Sequence, residues 1–373
     1  MKQKVLNFLK QEPVLVFSAL LALISCIFVP PSMNYLSYLD EKTLILLFCL
    51  MLVTAGLEEL GLFHWIGRKM TRCFKTQRGI AFVLIALCFF SSMFITNDVS
   101  LITFIPLGLF TLKVSGFKNR ICTTITLMTI AANLGSMLTP IGNPQNLFLY
   151  SFFKLSLSEF FGAIFPYTLI AAILLIFIII FAYNSVPITV PSQTYQKAFN
   201  KIKLISYLCL FAVCILSVLN FLPVLWLLGI VLIAFLIINP HLFFKVDYNL
   251  LLTFVFFFIF IGNIQQIPVF QTLIGQMIQG QERNISIIAS QVISNVPSAL
   301  LLSGFTDQWK QLLIGTNIGG LGTIIASMAS LISYKQLAME SPDIKGRYFM
   351  VFSAFNFGIL AFYIVFGILF PGL

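Results

Sequence analysis

An all-α polytopic membrane protein built from two inverted repeats is the fold this sequence predicts, and three features predict it. Hydrophobic residues fill 59% of its 373 positions and charged residues only 9%. A soluble domain of that composition would lack a polar coat, which makes lipid the expected solvent. Apolar runs cross a hydrocarbon core of roughly 30 Å about nine times. Two further segments, 79–113 and 285–305, are apolar with polar centres, and short strings around them recur in the same order in both halves.

The expected spans are 13–31, 41–63, 120–150, 161–183, 203–220, 223–240, 247–265, 308–334 and 346–370. Lys2, Lys4 and Lys10 precede the first apolar run as in a secretory signal, but no small-residue cleavage site follows, so a retained first span is expected. Segment 79–113 carries Ser91, Ser92, Thr96, Asn97, Asp98 and Ser100 in its middle, and 285–305 is too short to cross twice. Both suit re-entrant hairpins that enter and leave by one side. The first repeat is expected over 1–183, with hairpin 79–113 and a broken helix over 120–150. A linker and connecting helix cover 184–221, and the second repeat, 222–373, holds hairpin 285–305 and a broken helix over 308–334.

Charge sets the orientation, because Lys and Arg gather in cytoplasmic loops. With the N-terminus cytoplasmic, all but Lys42, Lys154, Arg283 and Lys310 of the 22 Lys and Arg fall on that side. Loops holding Arg68, Lys69, Arg72, Lys75 and Arg78, then Lys113, Lys118 and Arg120, flank the first hairpin. The second lies between Arg283 and Lys310, so the two hairpins open to opposite sides. The formal charge of +10 is thereby explained by topology, with no nucleic acid partner. The seven cysteines, mostly inside apolar runs and without metal-ligand spacing, read as packing residues.

The halves match in three places. AGLEELGLF ending at Phe63 pairs with IGNIQQIPVF ending at Phe270, ITNDVSLIT (95–103) with ISNVPSALL (293–301), and NLGSMLTPIGN (133–143) with NIGGLGTIIAS (317–327). The extra span at 203–220 makes the number of crossings between the copies odd, which turns the second copy over.

Irregular backbone at membrane depth persists only where protein or a wet cavity satisfies it. Asn133, Gly135, Ser136, Thr139, Pro140, Gly142, Asn143 and Pro144 interrupt one span, and Asn317, Gly319, Gly320, Gly322 and Thr323 the other. Such a break frees carbonyls for a cation and exposes a positive half-helix end to an anion. The hairpin tips add Thr96, Asn97 and Asp98, and Ser294, Asn295, Val296 and Pro297. Helix N-termini there offer a carboxylate or oxyanion a seat without arginine. The expected substrate-binding residues are Thr96, Asn97, Ser294, Asn295, Asn143, Thr139 and Thr323. The expected cation-binding residues are Ser92, Asn97, Asp98, Gly135, Asn295 and Gly319, with sodium at Asn97, Asp98 and Asn295.

Asp98 is the one acid placed deep in the membrane, where it either ligates sodium as a carboxylate or carries a proton. Glu58 and Glu59 read as interface anchors, and His64 and His241 as structural. Small polar residues also let membrane helices pack closely, but their recurrence at matching places in both copies favours a site. With no nucleophilic triad, metal cluster or phosphate loop in the sequence, an enzyme is not expected, and no cofactor beyond a coupling sodium ion or proton.

The stretches FITNDVSLITFIPL, ANLGSMLTPIGNPQN, SNVPSALL and TNIGGLGT resemble the ion transporter superfamily of divalent anion/sodium symporters, citrate transporters, arsenite permeases and certain sodium/proton antiporters. In the symporter branch a Ser-Asn-Thr motif at each tip binds sodium and substrate carboxylates. Its counterparts here are Thr96, Asn97 and Asp98, and Ser294, Asn295 and Val296, so only the asparagine stays in both. Asn-Asp at the first tip looks closer to the arsenite permease and antiporter branches. The resemblance implies cation-coupled transport of a small anion across a bacterial cytoplasmic (inner) membrane, by a homodimer whose transport domain moves as an elevator. A sodium/proton antiporter using Asp98, or an arsenite-type efflux permease, is the alternative.

Overall fold

The computed structural model describes residues 12–187 and 200–370, and among them all regular structure is helical apart from one isolated bridge between Thr76 and Pro187. The expectations for Lys2, Lys4 and Lys10 fall outside the described residues. The chain is an all-α polytopic membrane protein: six helices are long and apolar enough to cross a membrane, and a bent pair makes a seventh.

In chain order the principal helices are α1 (Pro13–Phe28), α2 (Glu41–Glu59), α3 (Leu62–Arg72), α4 (Gln77–Ile95), α5 (Asn97–Val114), α6 (Ile121–Ser136), α7 (Pro144–Phe152) and α8 (Leu157–Ala182). They continue as α9 (Lys201–Val218), α10 (Val224–Ile238), α11 (Tyr248–Gln265), α12 (Pro268–Ile278), α13 (Glu282–Ile293), α14 (Asn295–Ser303), α15 (Trp309–Gly319), α16 (Met328–Glu340) and α17 (Lys345–Leu369). Each expected span has its helix or helix pair, and 120–150 and 308–334 are both broken. The second broken span runs further than expected, to Glu340.

Local chemistry sets the helix starts. Asp40, Thr76 and Asp247 each accept a hydrogen bond from the N–H three residues on. Ser156 and Glu159 form a reciprocal capping box at α8, satisfying two of the four donors that a helix start leaves free.

Two expectations about loops are corrected. The basic stretch after Phe63 is helical: α2 ends at Glu59, and the chain re-enters a helix at Leu62 after a 55° bend. Gly61, at φ 78°, makes that corner. Along α3, Phe63 and Thr71 face the protein while Trp65 and Met70 are exposed, an amphipathic pattern suited to a membrane interface. Apolar periodicity hides such a helix, because its polar face carries the charges that read as a loop. Arg283, expected in a loop, lies in α13 and donates to Tyr167 Oη (3.2 Å) and the Gly367 carbonyl (2.9 Å).

Packing leaves apolar side chains on the outside as well as in the core. The exposed faces of α8, α9, α10 and α17 are large and apolar, including Phe177, Phe181, Ile205, Trp226, Ile237 and Ile368. The interior holds hydroxyls and amides, with nearly every residue of α6 buried. Helices α1, α2, α9, α10 and α11 pack on one another, and α4 to α6 pack with α16, as α13 and α14 do with α15. The first group meets the second mainly through α7, α14 and α3. Phe148 of α7 meets Phe254 edge-on and Phe258 at a tilt, both of α11, at that seam, with centroids 6.3 and 5.7 Å away.

Candidate functional site

The chain reverses at Thr96 and again at Ser294. Ser91 and Ser100 share a 2.7 Å hydrogen bond, although nine residues of straight helix would place them about 13 Å apart. Ser298 donates to the Ser286 carbonyl at 3.3 Å, and Ser100 donates to the Cys88 carbonyl at 3.4 Å. The arms of the second hairpin have only 12 and 9 residues, about 18 and 14 Å, too short to cross a core of roughly 30 Å. Those of the first have 19 and 18. Their tip stops level with the break after α6, where the Asn97 N–H donates to the Gly142 carbonyl at 3.1 Å.

Both tips adopt the same unusual backbone. Thr96 has φ 65° and ψ 152°, and Ser294 has φ 78° and ψ 157°. Side-chain-bearing residues almost never occupy that region, and each such residue stores about 1–3 kcal/mol. The following asparagine bridges the turn in each case. Asn97 Oδ1 accepts from the Asp98 N–H (3.0 Å) and Asn295 Oδ1 from the Val296 N–H (2.9 Å).

Each tip is tied to its neighbouring break by equivalent bonds. Thr139 donates to the Met93 carbonyl and Thr323 to the Gln291 carbonyl. Glycine permits the approach. A Cβ on Gly135 would lie 2.1 Å from the Phe89 carbonyl oxygen and 2.8 Å from Ser92 Oγ, and one on Gly319 would lie 2.7 Å from Ser290 Oγ.

The two breaks then hold each other reciprocally. Asn133 of α6 accepts from Ser327 Oγ (3.0 Å) and donates to Ser330 Oγ (3.4 Å) beside the second break. Asn317 of α15 accepts from Asn143 (3.2 Å) and donates to Asn146 (2.7 Å) beside the first. Residues 133, 143 and 146 stand to 317, 327 and 330 at one constant separation along the chain, so one contact pattern occurs twice. Asn133 also accepts from Asn97 Nδ2 (3.0 Å), bringing the first tip into the network.

The two tips and two breaks line an open cavity, with about 240 Å³ of empty space including the solvent at its mouth, formed by Asn97, Asp98, Pro144, Gln145, Leu250, Asn295, Val296, Ser327 and Met328. Eight of those nine residues fall at the starts of four helices, with Leu250 in the first turn of α11: Asn97 and Asp98 open α5, Pro144 and Gln145 open α7, Asn295 and Val296 open α14, and Ser327 and Met328 open α16. Each helix start carries roughly half a positive charge. Asp98 is the sole charged residue in the lining. A second cavity of about 380 Å³ shares Leu250, Val296 and Met328 with the first and reaches Ser294, Thr253, Asp247 and Glu12.

Of the expected site residues, Asn97, Asp98 and Asn295 line the shared cavity, and Ser294 lines its neighbour. Thr96 forms the first turn. Ser92, Gly135, Thr139, Asn143, Gly319 and Thr323 lie behind that surface, joining hairpins to breaks. The freed carbonyls already have donors. Asn146 Nδ2 reaches the Ser136, Met137 and Thr139 carbonyls (3.4, 3.1 and 3.2 Å), and Gln291 Nε2 reaches those of Gly319 and Leu321 (both 2.9 Å). Gln145 and Ser327 in the lining, with Asn146 and Gln291 behind it, went unassigned from sequence, and Asn133 and Asn317 were expected only as part of the helix breaks. Repeat register pairs Ser327 with Asn143 and would have drawn attention to it. Glu59, expected as an interface anchor, pairs with Lys245 at 2.8 Å and accepts from Asn239 at 2.8 Å.

Residues 8–307 match the citrate transporter family model. The chain belongs to that family. It is 35% identical over 308 residues to the inner membrane protein YbiR of Escherichia coli, covering 80% of each chain. It is 31% identical over 321 residues to the uncharacterized transporter MJ0456 of Methanocaldococcus jannaschii, covering 86% of this chain and 87% of the relative. A shorter match, 31% over 129 residues, joins it to the silicon efflux transporter LSI3 of rice, over 34% of this chain and 26% of the relative. Family and fold together make this a multi-pass membrane transporter with the tip-and-break cavity as its candidate site.

Proposed function

We propose that the protein is a secondary active transporter that moves a small anion, a carboxylate or oxyanion, across the cytoplasmic membrane, coupled to sodium or protons. The observation that carries this reading is the convergence of four helix starts on one cavity whose lining contains no Lys or Arg. Four half-charges directed inward suit an anion, and the amides of Asn97 and Asn295 add hydrogen-bond donors from both tips. Asp98, among those positive ends, is where a coupling cation offsets the carboxylate while the anion is bound.

The cavity lies at the seam between two packed helix groups, with Leu250 of α11 on one wall and the tips on the other. That placement supports an elevator, in which the hairpin-and-break group carries its cargo past a scaffold of α1, α2 and α9 to α11. Two copies meeting through their scaffolds, with inverted repeats in each, complete this reading. The rice relative's name, silicon efflux transporter, adds weakly acidic oxyacids and outward movement to the possibilities.

The test is uptake and counter-flow of radiolabelled anions in proteoliposomes, with citrate, succinate, phosphate, silicate and arsenite under imposed sodium or pH gradients. Gradient-driven movement of one anion is expected. Sodium-dependent proton flux with no anion moved would replace the proposal with an antiporter centred on Asp98.

A further inference from the structure

Two helices stand at matching places in the repeats, at the strings that end in Phe63 and Phe270: α3 follows α2, and α12 follows α11. The Glu59–Lys245 pair joins the end of α2 to the chain just before α11, so α3 and α12 lie on opposite faces of the membrane. Both turn apolar side chains outward, Trp65 and Met70 on α3, and Val269, Leu273 and Met277 on α12. They differ in charge. Arg68, Lys69 and Arg72 of α3 stand against Gly275, Gln276 and Gln279 in the register of those strings, and α12 holds no charged residue.

On α3 the charge and the apolar surface share one face. Lys69 is exposed, and its Nζ lies 5.0 Å from the ring centre of Trp65, one turn before it. Exposed Phe74 and Lys75 continue the pattern past the helix end. Arg78, in the same basic stretch, is instead turned to the Tyr183 carbonyl, to which it donates at 2.8 Å. A face that is aromatic and apolar, with ammonium groups at its edge, fits the boundary between acyl chains and headgroups. Holding a loop on one side of the membrane requires Lys and Arg in number, but not beside exposed aromatics.

We infer that the outer face of α3 is a binding surface for anionic phospholipid, with no counterpart on α12 in the opposite leaflet. Lys69 and Lys75 hold the headgroup phosphate, and the acyl chains lie along Trp65, Met70 and Phe74. The inner face of α3 is pressed onto the first hairpin: a Cβ on Gly67 would lie 2.6 Å from Leu107 Cδ2 and 3.1 Å from Phe104 Cε1 of α5. Lipid held outside therefore bears on the arm that begins at Asn97. The surface does not depend on what the cavity carries, so it stands or falls apart from the transport reading.

The test is quenching of tryptophan fluorescence in proteoliposomes by brominated phosphatidylglycerol and by brominated phosphatidylcholine. Trp226→Phe and Trp309→Phe leave Trp65 as the reporter among the three tryptophans. The ratio of the two quenching efficiencies is read, which cancels changes in the reporter's own emission. A lysine near an anionic surface contributes about fivefold. Trp65 is therefore expected to report a preference for phosphatidylglycerol of about five- to 25-fold at low salt, shrinking in about 0.5 M salt. In Lys69→Gln/Lys75→Gln the preference is expected to fall at least about fivefold. A second reporter, Leu273→Trp on α12 with the three native tryptophans replaced by Phe, is expected to be quenched equally by both lipids. Equal quenching at Trp65, a preference unchanged in the lysine variant, or a preference of the same size at position 273 overturns the inference. So does the absence of quenching at Trp65, which would show that this face does not meet lipid.

Discussion

Replacing Asn317 with alanine removes the clasp that the second repeat places on the first. The side chain donates to Asn146 Oδ1 at 2.7 Å and to the Leu313 carbonyl at 2.8 Å, and it accepts from Asn143 at 3.2 Å. Two of these bonds cross between the breaks, and Asn317, Asn143 and Asn146 are almost fully buried. Interhelical hydrogen bonds in membrane proteins contribute about 0.6 kcal/mol each and at most about 1.7, so losing two lowers stability by about 1–3 kcal/mol. That is roughly a 5- to 150-fold shift toward the unfolded state. Equilibrium unfolding in mixed micelles titrated with SDS, followed by circular dichroism, measures it. The pairwise part comes from a double-mutant cycle with Asn146→Ala, where a coupling of about 0.6–1.7 kcal/mol is expected. Because Asn133 makes the mirror-related contacts, Asn133→Ala is expected to fall within about 1 kcal/mol of Asn317→Ala. Additivity within about 0.3 kcal/mol, or a silent Asn133→Ala, refutes the reciprocal clasp.

Three further outcomes follow from the same geometry. Gly135→Ala puts a methyl 2.1 Å from the Phe89 carbonyl oxygen, and overpacking against backbone costs about 1–3 kcal/mol or more; its unfolding midpoint is expected to fall, and an unchanged midpoint would show that α4 and α6 separate freely. Thr96→Gly and Ser294→Gly each relieve a positive-φ turn and are expected to stabilise the protein by about 1 kcal/mol in the same assay, the relieved strain less the added freedom of the unfolded glycine. Transport by those variants is expected to slow, since the tip amides lose their fixed orientation, and wild-type rates would show that tip geometry does not set turnover. Lys113→Ala, which breaks the exposed 2.9 Å pair with Glu340, is expected to change stability by less than about 1 kcal/mol, and a larger loss would mean that this link between α5 and α16 holds the two repeats together.

The fold was legible because lipid makes two signals strong. Apolar run length marked the spans, and polar or glycine-rich centres marked the places where helices stop. The reversal at Thr96 and the break after Ser136 both follow that punctuation. The amphipathic α3 was missed because Arg68 and Lys69 read as a loop when only long apolar runs are counted. In the site, Asn97, Asp98 and Asn295 stood out as amides and an acid inside apolar sequence, and all three line one cavity. The carbonyl-capping roles of Asn146 and Gln291 were invisible, since each depends on a neighbour brought close only by folding. Gln145 lay within a string already noted for its asparagines, and only the missing partner of its oxygen sets it apart.

The most direct test of a site shared equally by two tips is gradient-driven uptake by Asn97→Ala and Asn295→Ala in proteoliposomes, each checked for native unfolding behaviour. Both variants are expected to lose at least about tenfold in uptake, the equivalent of one charge-assisted hydrogen bond to the substrate. Wild-type uptake by either one, in a folded protein, would contradict a site built from both halves.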